Sequence, residues 1–224
     1  MIMRNSVLFL LASVLLTGCT LNLHSLFTSK DVTYEPSLVG NWQNEETTWL
    51  IKAYDKPTGR YLLQTTMKDQ PQAEFSATLG MIGTNRFLEL TPKRPNEIHP
   101  KTFYGGHFVQ LHSIWKVGLN GDNLTLTSLS MQWLETAIKQ NKVNLKCEKP
   151  EGGVLFLTAS TPELQEFVSK YADDPGAFPS RGDEKGIMFE RSKETPKVET
   201  VPQAGTMPWS PPKDWEKTTA PVKP

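Results

Sequence analysis

Short runs in which apolar and polar side chains alternate fill most of the chain between Leu38 and Arg191. A period of two puts successive side chains on opposite faces, so each run predicts a half-buried strand. Leu38, Gly40 and Trp42 share one face, and Trp49, Ile51 and Ala53 share another against Thr48, Lys52 and Tyr54. Tyr61, Leu63 and Met67 alternate with Leu62, Gln64 and Thr66. Phe75, Ala77, Leu79 and Met81 do so with Ser76, Thr78 and Gly80. Leu88 and Leu90 mark a short strand, and Val109, Leu111, Trp115 and Val117 a longer one. Asn120-Gly121-Asp122 predicts a tight hairpin turn into Leu124 and Leu126. Val143, Leu145 and Cys147, then Val154 to Leu157, then Ile187, Phe189 and Arg191 complete about ten strands.

Two stretches carry the helical period instead. Met131, Leu134 and Ile138 form one apolar stripe, with Ser130 placed to cap it. Thr161-Pro162-Glu163 predicts a helix start, with Thr161 as cap, Pro in the first turn and an acid behind it. Leu164, Phe167, Val168 and Tyr171 line its face, and Asp173-Asp174-Pro175-Gly176 ends it. Many short antiparallel strands need their edges covered, and closing the sheet on itself does this. The expected fold is therefore mostly β, an antiparallel barrel of about 8–10 strands with two inserted helices, over residues 37–192.

The first residues follow a different logic. Arg4 precedes the apolar run Val7 to Leu16, which at ten residues is too short for a membrane span, since that needs about 20. Residues 1–18 thus read as a signal peptide. Leu16-Thr17-Gly18-Cys19 resembles the lipobox of bacterial lipoproteins. That resemblance implies a diacylglycerol on the Cys19 sulfur, cleavage before Cys19, and usually a third chain on the new amino group. Two or more acyl chains anchor a protein firmly where one does so only marginally. Thr20 stands where an aspartate would favour inner-membrane retention in enteric-type bacteria. The resemblance implies a cell-envelope protein held to a membrane by lipid, on the periplasmic side of the outer membrane in a Gram-negative source.

Residues 19–36 read as a lipidated tether broken by Lys30, Asp31 and Pro36, though Leu21, Leu23, Leu26 and Phe27 are apolar enough to lie along the domain. Residues 193–224 contain seven prolines and no apolar period, which predicts a disordered or extended tail. Met207 to Trp215 sets Trp209 and Trp215 among prolines, a pattern suited to docking a partner or to covering the tail's own domain. Loss of residues 1–18 removes only Arg4 from 24 basic residues, leaving 23 against 24 acidic ones. Such a balance offers no field for nucleic acid or for an anionic membrane surface. With Cys19 lipidated, Cys147 is the one remaining thiol, so no internal disulfide forms.

At Gly40-Asn41-Trp42 the chain also resembles lipocalin-like barrels, whose first strand opens with Gly-x-Trp. The resemblance implies that Trp42 closes the barrel bottom beneath Arg191, which ends the last strand with the parity of Ile187 and Phe189. A guanidinium stacked on an indole contributes about 0.5–2 kcal/mol. The two inserted helices and the missing disulfide depart from that family's pattern.

Catalytic and metal chemistry find little support. His107 and His112 point to opposite faces of one regular strand, so a shared zinc would need a bulge or His99. His112 is expected at the surface and His107 at a strand entrance. Ser113 beside His112 has the wrong parity for a Ser–His pair, and Arg181-Gly182-Asp183 reads as a chance adhesion tripeptide. No metal, no cofactor other than the covalent lipid on Cys19, and no catalytic residue is assigned. The expected role is a lipid-anchored envelope protein whose barrel binds a small apolar ligand or an envelope component, lined by Phe75, Leu79, Leu111, Trp115 and Phe156. The alternative is a structural or interaction lipoprotein with a filled barrel and a partner-docking tail; an envelope enzyme comes third.

Overall fold

The computed structural model describes residues 20–67, 70, 72–93, 102–107, 109–150, 155–179 and 186–193. In chain order the strands are β1 (Leu21–Asn22), β2 (Gly40–Gln43), β3 (Thr47–Asp55), β4 (Arg60–Met67), β5 (Ala73–Ile82) and β6 (Asn85–Pro92). After them come β7 (His112–Asn120), β8 (Asn123–Ser128), β9 (Cys147–Glu148), β10 (Phe156–Leu157) and β11 (Ile187–Arg191). A 3-10 turn spans Pro36–Leu38, and the helices are the single turn α1 (Phe103–Gly106), α2 (Met131–Lys139) and α3 (Thr161–Tyr171).

Eight strands close into a ring. Each of β2 to β7 pairs antiparallel with the next, and β11 pairs with both β8 and β2. The result is a closed eight-stranded antiparallel barrel with two helices of more than a single turn, consistent with a lipocalin-like barrel. Two ends follow from this topology. The β3–β4, β5–β6 and β7–β8 turns form a hairpin end, where Gly83 and Gly121 take φ of +60° as tight turns require. The β2–β3, β4–β5 and β6–β7 connections, with the exit from β8, form the opposite loop end.

Two cores share the barrel wall. The inner one fills the ring with Leu38, Trp42, Trp49, Ile51, Tyr61, Leu63, Leu79, Leu88, Trp115, Leu124, Leu126 and Phe189, among others. The outer one packs α2, α3 and the N-terminal segment on the outside of the wall, around Leu26, Phe87, Leu134, Leu164, Phe167 and Phe178. Much of residues 20–36, read from the sequence as a tether whose apolar residues could lie along the domain, belongs to this second layer. Thr20 is buried, β1 pairs with β7 and β10, and Leu26 is fully enclosed. Phe27 seats over Gly80, where a Cβ would come within 2.4 Å of its ring. The apolar residues of this segment are too few to set a period, and their burial depends on partners far along the chain.

Strand limits shift in places. The strand expected from Val109 begins only at His112, leaving Val109 exposed. Val143 and Leu145 are buried in the outer core without being in a strand, and β9 starts at Cys147. Ser130 caps α2 by accepting from the Trp133 N–H at 3.2 Å. The cap of α3 lies one residue earlier than expected, at Ser160. Glu163 accepts there from the Ser160 N–H at 2.8 Å and its hydroxyl at 2.7 Å, while Thr161 instead donates to the Ser25 carbonyl at 2.6 Å. The Lys146 ammonium 2.9 Å away and the Ser160 donors hold the Glu163 carboxyl down at about 2.

Candidate functional site

The resemblance to lipocalin-like barrels singles out Trp42 and Arg191, and the structure brings them together. The two face each other in register between β2 and β11, and the Arg191 guanidinium lies over the Trp42 ring at 4.1 Å from its centroid. Trp42 exposes none of its surface and donates from Nε1 to the Leu38 carbonyl at 2.9 Å. Arg191 donates to the carbonyls of Val39 (3.0 Å) and Ser37 (2.5 Å) and to Asp122 (3.0 Å). The arrangement accounts for the glycine of Gly-x-Trp. Gly40 has φ of +145°, and a Cβ there would lie 2.4 Å from Arg191 Nη1. A guanidinium held by four partners cannot easily give way, so a side chain at residue 40 would be strained on both counts. This cluster seals the hairpin end; with its donors engaged by protein, it is a plug.

The five expected lining residues separate. Leu79 and Trp115 are buried inside the barrel and Phe75 is half-buried at its loop end. Leu111 precedes β7 and lines no part of the ring. Phe156 lies on β10, which pairs with β1 and β9 outside the ring, so its period-two pattern belongs to the outer layer. Leu38, Trp42, Leu63, Ala77, Leu88, Leu124 and Leu126 have no accessible surface, so the interior around them is filled by side chains. Towards the loop end Trp49, Leu90 and Trp115 sit beneath the half-buried Phe75 and Ile187.

The wall hides a polar cluster that the sequence pattern did not reveal. Glu89 is 5% exposed and points out of the barrel, opposite in parity to Leu88 and Leu90. Its carboxylate accepts from the Leu26 N–H at 2.6 Å and from the Ser25 hydroxyl at 2.9 Å. His112 Nδ1 stands 3.1 Å from Glu89 Oε1 and 3.0 Å from Thr91 Oγ1. His112 is therefore largely covered, where a surface position was expected. Both carboxylate oxygens are occupied by groups of the N-terminal strap or the wall, so the cluster works as a clamp. Gln165 on α3 adds to it by donating to the Leu26 carbonyl at 2.9 Å and to Asp31 at 2.8 Å. Burial alone would raise the Asp31 carboxyl, but the donors of Thr28 and Gln165 outweigh it and bring it below its usual range. The signal for Glu89 was the run Phe87-Leu88-Glu89-Leu90, apolar on both faces, which marks a strand covered on each side.

Other candidates have separate partners. His107 Nδ1 lies 2.7 Å from the Phe103 carbonyl, and Cys147 is a half-buried free thiol pushed up by burial and by the nearby Glu148 and Glu135. Among the described residues no three His, Cys, Asp or Glu side chains gather as a metal site. Cys19, His99, Arg181-Gly182-Asp183, Trp209 and Trp215 lie outside the described residues. No helix among the described residues is long and apolar enough to cross a membrane. Compared with protein-family models, curated proteins and solved structures, the chain matches none.

Proposed function

We propose that this chain is a lipid-anchored cell-envelope protein whose barrel is a packed scaffold that presents its outer surface to another envelope component. The signal peptide and the lipobox-like Leu16-Thr17-Gly18-Cys19 support the anchor, with Cys19 carrying the lipid. In a Gram-negative source the destination is the periplasmic face of the outer membrane. The observation that carries the scaffold reading is the filled interior. Seven inner residues from Leu38 to Leu126 expose nothing, and the Trp42–Arg191 plug closes the end beneath them. Ligand sites for small molecules are concave and bury most of the ligand, which the interior around these seven residues has no room to do.

A second reading rests on the loop end, where the half-buried Phe75 and Ile187 above Trp49, Leu90 and Trp115 could cradle a small apolar ligand. Native mass spectrometry of residues 20–224, purified from cells under gentle conditions, separates the two. The scaffold reading expects the bare chain mass; a copurifying lipid-sized mass, lost on Trp115→Ala, would replace it with ligand binding.

A further inference from the structure

We infer that this protein has no spacer between its lipid and its folded body, so that the barrel sits on the bilayer by its loop end. The inference rests on the reading of Cys19 as the lipid site. A free segment over residues 19–36 would let the body stand off by up to about 60 Å and turn freely. The fold removes that freedom. Thr20, the residue after Cys19, is only 2% exposed, and its hydroxyl donates to the Leu129 carbonyl at 3.0 Å. Leu21 is already in β1, opposite Ser113 of β7 and Phe156 of β10. One peptide unit separates the acylated residue from the outer core.

Register tells which end that unit occupies. Ser113 is the second residue of β7, which starts at the loop end, and Leu129 directly follows the loop-end residue of β8, Ser128. Thr20, the first described residue, therefore lies beside the loop end. The apolar surface is uneven in the same direction. Five large apolar side chains stand out as exposed among the described residues: Tyr54, Met67, Phe103, Val109 and Met188. Met67 ends β4 at the loop end, and Phe103 and Val109 belong to the β6–β7 connection there. Met188 pairs with Thr125 and stands part-way along the wall. Only Tyr54 belongs to the hairpin end. Phe103, at 89% exposure, keeps most of its surface in water and meets the His107 ring at 4.6 Å between centroids. Held against a membrane by an acyl anchor one residue from the body, such side chains enter the headgroup boundary, whose depth is about 5–10 Å. The near-zero net charge adds no attraction to anionic lipid, so the contact is apolar.

The test uses the lipidated full chain in vesicles of phosphatidylethanolamine and phosphatidylglycerol that contain nitroxide-labelled lipid. In a Cys147→Ser background, a fluorophore is placed through Phe103→Cys or, at the far end, Tyr54→Cys. The 103 label is expected to lose about two-fold or more of its fluorescence to the nitroxide lipid, while the 54 label is unaffected. Inserting about ten Gly and Ser residues between Cys19 and Thr20 should abolish that difference while the protein stays with the vesicles. Equal quenching at both labels, or quenching at 103 that survives the insertion, overturns the seat alone. Protein that fails to sediment with vesicles although Cys19 is intact overturns the anchor reading itself, and the seat with it.

Discussion

Trp42→Ala is expected to lower the unfolding free energy by about 3–5 kcal/mol, the range for removing a buried aromatic side chain. Trp42 has no accessible surface, faces Trp49 across the β2–β3 ladder, and carries the Arg191 guanidinium at 4.1 Å on its ring. Truncation leaves a cavity at the plug and takes away the Nε1 donor that the Leu38 carbonyl accepts from. In a domain of this size each kcal/mol moves Tm by about 2–4 °C, so the loss is plain in a melting curve. Tyr54→Ala is the control, because Tyr54 is 72% exposed and surface changes normally stay within about 0.5 kcal/mol. A Trp42→Ala protein that melts like the Tyr54→Ala protein would mean that the plug does not close the barrel.

Glu89→Ala is expected to loosen the N-terminal strap and cost several kcal/mol. Each buried polar group left unsatisfied costs about 1–3 kcal/mol, and the carboxylate serves the Leu26 N–H, the Ser25 hydroxyl and His112 Nδ1 at 2.6, 2.9 and 3.1 Å. Leu26 is fully enclosed, so water cannot replace the lost acceptor without opening the segment. Glu89→Gln should lose less, because its amide oxygen can still accept from Leu26 while its NH2 group donates to Ser25 or His112. Hydrogen exchange at the Leu26 amide is the direct readout. It should speed up strongly in Glu89→Ala and weakly in Glu89→Gln, with the inner barrel amides much less affected in both. Unchanged protection at Leu26 in Glu89→Ala would show that the apolar contacts of Leu26 and Phe27 alone hold the strap.

The barrel was legible because its signal is local. Alternation at Trp49-Leu50-Ile51, at Phe75 to Met81 and at Leu88 to Leu90, with the turn at Gly121, marks strands without any knowledge of their partners. The β11–β2 closure was legible through Gly-x-Trp and Arg191, whose guanidinium reaches back 152 residues to the Val39 carbonyl. The strap was not. Thr20, Leu26 and Phe27 are scattered along an irregular segment, and their burial comes from Leu129, Gly80, Glu89 and Gln165, all remote in sequence. Phe156 misled for a related reason, since a two-residue strand in the outer layer has the same alternation as one in the ring. Glu89 was missed because a charged residue at an outward strand position reads as solvated until something covers it.

Acylation of Cys19 underlies both the anchor and the seat on the bilayer, and intact-mass analysis of the protein extracted from its native membranes tests it most directly. A chain beginning at Cys19 and heavier by a diacylglycerol, or by that group and a further acyl chain, is the predicted result. A mature protein with an unmodified thiol at Cys19, or a chain cleaved elsewhere, would contradict it.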